Sequence, residues 1–307
     1  MENVHVAYII FSYRNPEQIV QLACKLAANT SCKVFIHHDY SVTDLPEDAF
    51  KENANIEILP FSINVEWGDI SMVHAMHDSM QYVFNNQQKF DWFILISEQD
   101  YPVRKVSEIE KHLAVSKYDG FLTYFSADMD KEVAAVINKR YFFWYFKLPK
   151  YWRLFRFYKW IAQKLEPCKN VQWFLGASNS GPRIGIKRRD VIFNKGFDCY
   201  KGQPWMTINR RCVKYVLETV KRNPKIIKYY SKTLIPEESI FNTILANNPM
   251  LKLKNDCRRY IQWKAGAAHP TVLTLHDYKN IVTSGKDFAR KFDIDVDREI
   301  IQMLDIL

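Results

Sequence analysis

Glycine is scarce in this 307-residue chain, nine in all, and none falls in the spacing GxGxxG or GxxxxGK(S/T). Neither a dinucleotide fingerprint nor a P-loop is available, so any phosphate must be met by side chains. Long apolar runs are missing too, and no window of the sequence approaches the ~18 apolar residues of a membrane span. The six cysteines (Cys24, Cys32, Cys168, Cys199, Cys212, Cys257) show no CxxC and no Cys/His zinc spacing, and read as free or buried thiols in a reducing compartment. Met1-Glu2-Asn3-Val4-His5 offers no basic stretch followed by an apolar one. The expectation is a cytoplasmic protein, at most peripheral on the inner face of a membrane.

What is present is ordinary for a globular domain, 48% hydrophobic and 25% charged, except for an aromatic share of 15%. The formal net charge of +9 favours an anionic partner without choosing among nucleotide, nucleic acid and anionic lipid.

The first half alternates short apolar runs with helical patterns, which is how a βαβ sheet reads. Strands are predicted at 5–11, 33–37, 56–60 and 92–96. A helix is predicted after Asn15-Pro16-Glu17-Gln18, which supplies an N-cap, a proline at the first helical position and a glutamine at the third. Another begins at Ser71. The strand at 92–96 runs into Ser97-Glu98-Gln99-Asp100, a polar loop at the strand end where ligands of such sheets collect. Later helices are predicted at 210–222, at 237–246 and from 298. With no repeat and no linker, the chain reads as one domain. About 1–138 form a nucleotide-binding half and about 139–307 an acceptor and catalytic half.

Five patterns bear on chemistry. In Pro236-Glu237-Glu238 two acids open a helix, which complements its dipole and also sets a carboxylate where it can serve as a general base. In Phe288-Ala289-Arg290-Lys291-Phe292-Asp293 cations held between aromatics are suited to a diphosphate, as are those of Arg258-Arg259-Tyr260. Oxygen ligands for Mn²⁺ or Mg²⁺ are offered by Glu98 and Asp100, and more weakly by Asp128-x-Asp130. His74, His77 and Asp78 read as polar helix surface. Finally, residues 139–164 contain many aromatic and basic side chains and no acid. That run fits an aromatic core with snorkelling cations, a membrane-interface helix, or an acceptor surface.

The ordered series Val6-Ala7-Tyr8-Ile9-Ile10, Ile36-His37-His38-Asp39, Trp67-Gly68-x-x-Ser71, Leu95-Ile96-Ser97-x-x-Asp100-Tyr101-Pro102, Gly202-Gln203-Pro204-Trp205, Pro236-Glu237-Glu238, Arg259-Tyr260-Ile261-x-Trp263 and Phe288 to Asp293 resembles the core-2/I-branching β-1,6-N-acetylglucosaminyltransferases. That family also holds the peptide O-xylosyltransferases. The resemblance implies an α/β GT-A fold, a Rossmann-like mixed sheet flanked by helices, and inverting transfer from a UDP-sugar, GlcNAc or xylose leading. It implies Glu238 as catalytic base and Lys291 at the diphosphate with Arg259 and Arg290. It further implies Asp39, Trp67, Ser71 and Asp100 toward the nucleotide, and Trp263 and Trp205 toward the acceptor. No metal is required by this reading, although Glu98 stands where many relatives have glycine, and Glu98-x-Asp100 leaves Mn²⁺ or Mg²⁺ open. The animal members' membrane anchor and disulfide framework have no counterpart in the sequence, so a bacterial-type member is expected. Its acceptor would be a glycan or lipid-linked oligosaccharide, with an anionic membrane surface as a further partner and no nucleic acid. The rival readings are a metal-dependent transferase and a non-catalytic protein binding polyanions or membranes.

Overall fold

A computed structural model describes residues 4–28, 31–87, 89–149, 152–165, 170–174, 181–264, 266–267 and 269–307, without the side chains of 152–155, 159, 162 and 165. In chain order the first elements are β1 (Val6–Ser12), α1 (Pro16–Leu26), β2 (Cys32–His38), β3 (Ile56–Ile58), α2 (Ser71–Asn86), β4 (Trp92–Ser97), β5 (Asp100–Pro102) and α3 (Val106–Ala114). β6 (Gly120–Leu122), β7 (Tyr124–Ser126), α4 (Lys131–Tyr141), β8 (Phe143–Lys147), α5 (Trp152–Leu165), β9 (Val171–Phe174) and β10 (Arg183–Lys187) follow. The rest comprises β11 (Tyr200–Gly202), β12 (Thr207–Asn209), α6 (Arg210–Arg222), α7 (Lys225–Tyr230), a 3₁₀ turn Pro236–Glu238, α8 (Ile240–Ala246), β13 (Leu253–Asn255), β14 (Arg259–Ile261), α9 (Tyr278–Thr283), β15 (Phe288–Arg290) and α10 (Glu299–Asp305).

Seven strands form the central sheet in the order β13-β6-β12-β4-β1-β2-β3, with β12 the one antiparallel member. The pleat of β1 sends Val6, Tyr8 and Ile10 to one face, against α1, α3 and α10. Ala7, Ile9 and Phe11 go to the other, against α2, α6 and α8. Both faces are covered, so the parallel strands read as unbroken apolar runs. The mixed α/β class expected from the sequence is present. The sheet draws β12 and β13 from beyond residue 139, so its strands come from both sides of the expected division.

Three expectations needed correction. Asn15 stands at the N-cap position of α1 but with left-handed backbone (φ 51°) and no side-chain cap; its amide donates to Asp293 Oδ1 at 2.9 Å. The helix expected over 237–246 is a 3₁₀ turn followed by α8, broken at Ser239, whose hydroxyl donates to Tyr200 O at 2.7 Å. The aromatic-basic run 139–164 is no single unit: it spans the end of α4, β8 and α5, and Lys150 lies outside the described residues, as does Cys168.

Candidate active site

The parallel strands end level with one another, Ser12 opposite His38 and Phe11 opposite Ser97. Beyond these ends a small sheet, β14-β15-β5, folds over the polar loop and sets Arg290 across from Asp100. Asp100 is fully buried. Its Oδ2 accepts from the Ser97 backbone N–H (2.8 Å) and hydroxyl (2.6 Å), while Oδ1 faces Arg259 Nε at 3.9 Å and Arg290 Nε at 4.0 Å. Asp100 thus anchors two cations from beneath.

The cations differ in what remains for a ligand. Arg259 is wholly buried, and its Nη groups donate to Cys257 O (2.5 Å) and Leu95 O (2.7 Å), which fits it to hold the small sheet on β4. Arg290 lies over the Trp205 ring, 4.3 Å from its centre. Lys291 is half-buried; burial and the neighbouring Arg290 and Arg14 charges lower its pKa. Arg14, just past β1, reaches Asp293 at 3.3 Å and Glu98 at 3.9 Å. The sequence reading missed Arg14, whose only signal is its place at a strand end. Arg14, Arg290 and Lys291 are the cations this loop gathers.

Gln18, expected as part of a capping box, is instead the clamp of this loop. From inside the protein its amide donates to Glu98 O (2.5 Å) and Phe292 O (3.2 Å), and its Oε1 accepts from Ile294 N (2.9 Å). Phe292 N also donates to Gln99 O at 2.9 Å.

Glu238 sits in the 3₁₀ turn, partly exposed. Its Oε2 takes Arg140 Nη1 at 2.6 Å and Lys201 Nζ at 3.5 Å, and Oε1 takes part in neither contact. Burial works against the Arg140 charge, but Glu238 and Tyr141 outweigh it and raise its pKa. Arg140 and Lys201 were also missed: one lay in the aromatic-basic run and read as surface, the other immediately precedes Gly202-Gln203-Pro204-Trp205. Glu237, next to Glu238, points inward; its Oε2 has no hydrogen-bond partner, and burial followed by the Glu238 charge pushes its carboxyl up to about 8. The turn is entered through Ile235 with φ 50°, a left-handed geometry costly for a β-branched residue, of order 1–3 kcal/mol. Ile235 N donates to Gly68 O (3.2 Å), Tyr141 Oη donates to Ile235 O (3.3 Å), and the side chain is buried with Phe143 and Tyr145.

One segment joins the two centres. Lys201 touches Glu238, Trp205 carries Arg290, and Asn242 of α8 donates to Gln203 O (3.1 Å) and Glu238 O (3.4 Å). Gly202 is required there, because a Cβ would come within 1.9 Å of Thr123 O. Trp67 is 43% exposed; its ring stacks on Phe174 and meets His269 edge-on at 6.4 Å. Ser71 opens α2, its hydroxyl bonded to Glu66. Burial raises the Asp39 pKa, but hydrogen bonds from Ser41 and Val65 prevail and hold the carboxyl below its ordinary value. Trp263 is exposed and lines a cavity of about 520 Å³ with Gln203, Lys254, Asp256, Arg259 and Lys286.

The metal candidates fit a cation poorly. Asp100 is committed to Ser97 and two arginines, Glu98 is buried with its carboxyl pushed up to about 8, and Arg14 stands beside it. Asp130 caps α4 by accepting from Glu132 N and Val133 N, so the weaker candidate is a helix cap. His77 pairs with Asp78 at 3.0 Å. Among the described residues no three His, Cys, Asp or Glu side chains gather closely enough to hold a metal.

The sequence profile of the Core-2/I-branching enzymes matches residues 6–176 and 178–284. The chain belongs to the Core-2/I-branching enzyme family. Similar proteins include Xylosyltransferase 1 of Homo sapiens, 24% identical over 326 residues covering 98% of this chain and 30% of that protein. Xylosyltransferase 2 of Rattus norvegicus is 24% identical over 327 residues, with 98% and 33% covered. The chain thus spans about a third of the length of the curated relatives it matches. Among solved structures, the apo-form glycosyltransferase GlyE of Streptococcus pneumoniae aligns over all of this chain and 61% of that one, with 11% identity and a TM-score of 0.42.

Proposed function

We propose that the chain transfers a sugar, GlcNAc or xylose, from a UDP-sugar to a hydroxyl of a glycan or glycoconjugate, lipid-linked oligosaccharides among them, with inversion. The observation that carries this reading is Glu238: a partly exposed carboxylate steadied through one oxygen by Arg140 and Lys201, leaving Oε1 out of both contacts. Oε1 takes the acceptor proton as the acceptor oxygen bonds to the anomeric carbon. The bond from that carbon to the diphosphate breaks and its electron pair leaves with UDP. A positioned base contributes on the order of a hundred- to ten-thousand-fold.

The departing diphosphate is met by Lys291, Arg290 and Arg14, fixed cations at the ends of the parallel strands. Arg259 and Asp100 act beneath them as positioning residues. Trp67, Ser71 and Asp39 belong to the nucleotide side of this reading, Trp263 and Trp205 to the acceptor side. This reading requires no Mn²⁺ or Mg²⁺: Asp100 faces Arg259 and Arg290, and Glu98 is a buried acid with its carboxyl pushed up to about 8 beside Arg14.

Calorimetric titration with UDP in a chelator tests this. Binding is expected to persist and to weaken about tenfold or more in Lys291→Ala. Binding lost in chelator, restored by Mn²⁺ and indifferent to Lys291→Ala would transfer the role to a metal on Glu98 and Asp100.

A further inference from the structure

The three-stranded antiparallel sheet β8-β10-β9 has two unlike faces. Its register aligns Trp144, Ile186 and Val171 in one row and Phe146, Ile184 and Trp173 in the next. The opposite face, with Phe143 and Tyr145, is buried against Leu234 and Ile235. On the two-row face Trp144, Phe146 and Ile186 are 38%, 43% and 47% exposed. α5 packs on β9 and buries Tyr158, while Phe157 and Trp160, stacked at 6.2 Å, are more than half exposed. Arg156 and Lys164 are exposed at helical spacing on either side of Trp160. Arg189, just after β10, is exposed as well.

We propose that this sheet face and the outer stripe of α5 dock on an anionic lipid bilayer. Residues 139–165 contain eight Lys and Arg and no acid, although two of them are paired with acids from elsewhere, Arg140 with Glu238 and Lys147 with Glu66 and Asp69. Exposed Trp and Phe with basic neighbours are the side chains that seat a protein in a headgroup region. A glycan would require hydrogen-bond donors and acceptors between the aromatics, and the two rows carry only the indole N–H groups of Trp144 and Trp173, with no side-chain acceptor. A second copy would set the same cations against one another. Among the described residues no helix is long and apolar enough to cross a membrane, so the contact is peripheral.

The full chain is floated with vesicles of phosphatidylcholine, with and without phosphatidylglycerol, and tryptophan emission is followed with brominated lipids. Binding to anionic vesicles alone, weakened by salt and accompanied by quenching, is expected. Arg156→Glu with Lys164→Glu and Arg189→Glu should weaken it roughly a hundredfold. Phe157→Ser with Trp160→Ser should abolish quenching while UDP binding, the control for folding, is retained. No flotation at low salt, or flotation without quenching, would overturn the proposal. So would sedimentation as a dimer that Phe157→Ser with Trp160→Ser dissolves.

Discussion

Glu237 and Glu238 are neighbours in sequence with opposite fates. One faces two cations at a partly open surface; the other is turned inward, an oxygen unpartnered and its carboxyl pushed up to about 8 by burial and the Glu238 charge. Glu98 is a second buried acid at about 8, raised by burial. The folded chain therefore keeps two protons that the unfolded chain releases near 4.5, so stability is full below that pH and falls as pH climbs toward 8. His37, lowered by burial from 6.5 to about 4, acts in the opposite sense, but only below its unfolded value. From about pH 6.5 to 8.5 the melting temperature of wild type should drop more steeply than that of Glu98→Gln with Glu237→Gln. Parallel melting curves would contradict these assignments. Nothing in the string Pro236-Glu237-Glu238 says which acid points inward; that is decided by the left-handed Ile235 and by what packs around it.

At the level of elements, the strands and first helices were legible because apolar periodicity and proline placement are local signals. Helix α1 forms from the residues that predicted it, yet Asn15 and Gln18, read as caps, bond instead to residues 80 to 278 positions away in the sequence. A polar residue at a helix start satisfies either demand, and only tertiary structure chooses. The same holds for Ser239, whose bond to Tyr200 breaks the helix expected through it. Gln18→Ala would leave two buried carbonyls and the Ile294 N–H without their partner, at about 1–3 kcal/mol for each group left unsatisfied. Denaturant unfolding should show that loss, and UDP affinity should fall with it, because the Glu98 loop and the Lys291–Phe292 segment are no longer tied. Unchanged UDP affinity in a destabilised Gln18→Ala would separate the clamp from the site.

Across the whole molecule, the site is assembled from six distant stretches: the strand end near Arg14, the strand end near Glu98, the end of α4 at Arg140, the Lys201 to Trp205 segment, the Glu238 turn and the Arg290-Lys291 segment. The family pattern made Glu238, Lys291 and their companions legible because it runs nearly the length of the chain. Arg140, Lys201 and Arg14 stayed hidden since lone basic residues in a chain of net charge +9 carry no pattern of their own. The central claim is that Glu238, and not its neighbour, takes the acceptor proton. Its most direct test is sugar transfer by Glu238→Gln and Glu237→Gln, measured beside UDP binding by the same proteins. Glu238→Gln should lose about a hundredfold or more of transfer with UDP affinity intact, and Glu237→Gln should keep most of it. Equal losses in the two variants, or more than about a tenth of wild-type transfer in Glu238→Gln, would contradict the account.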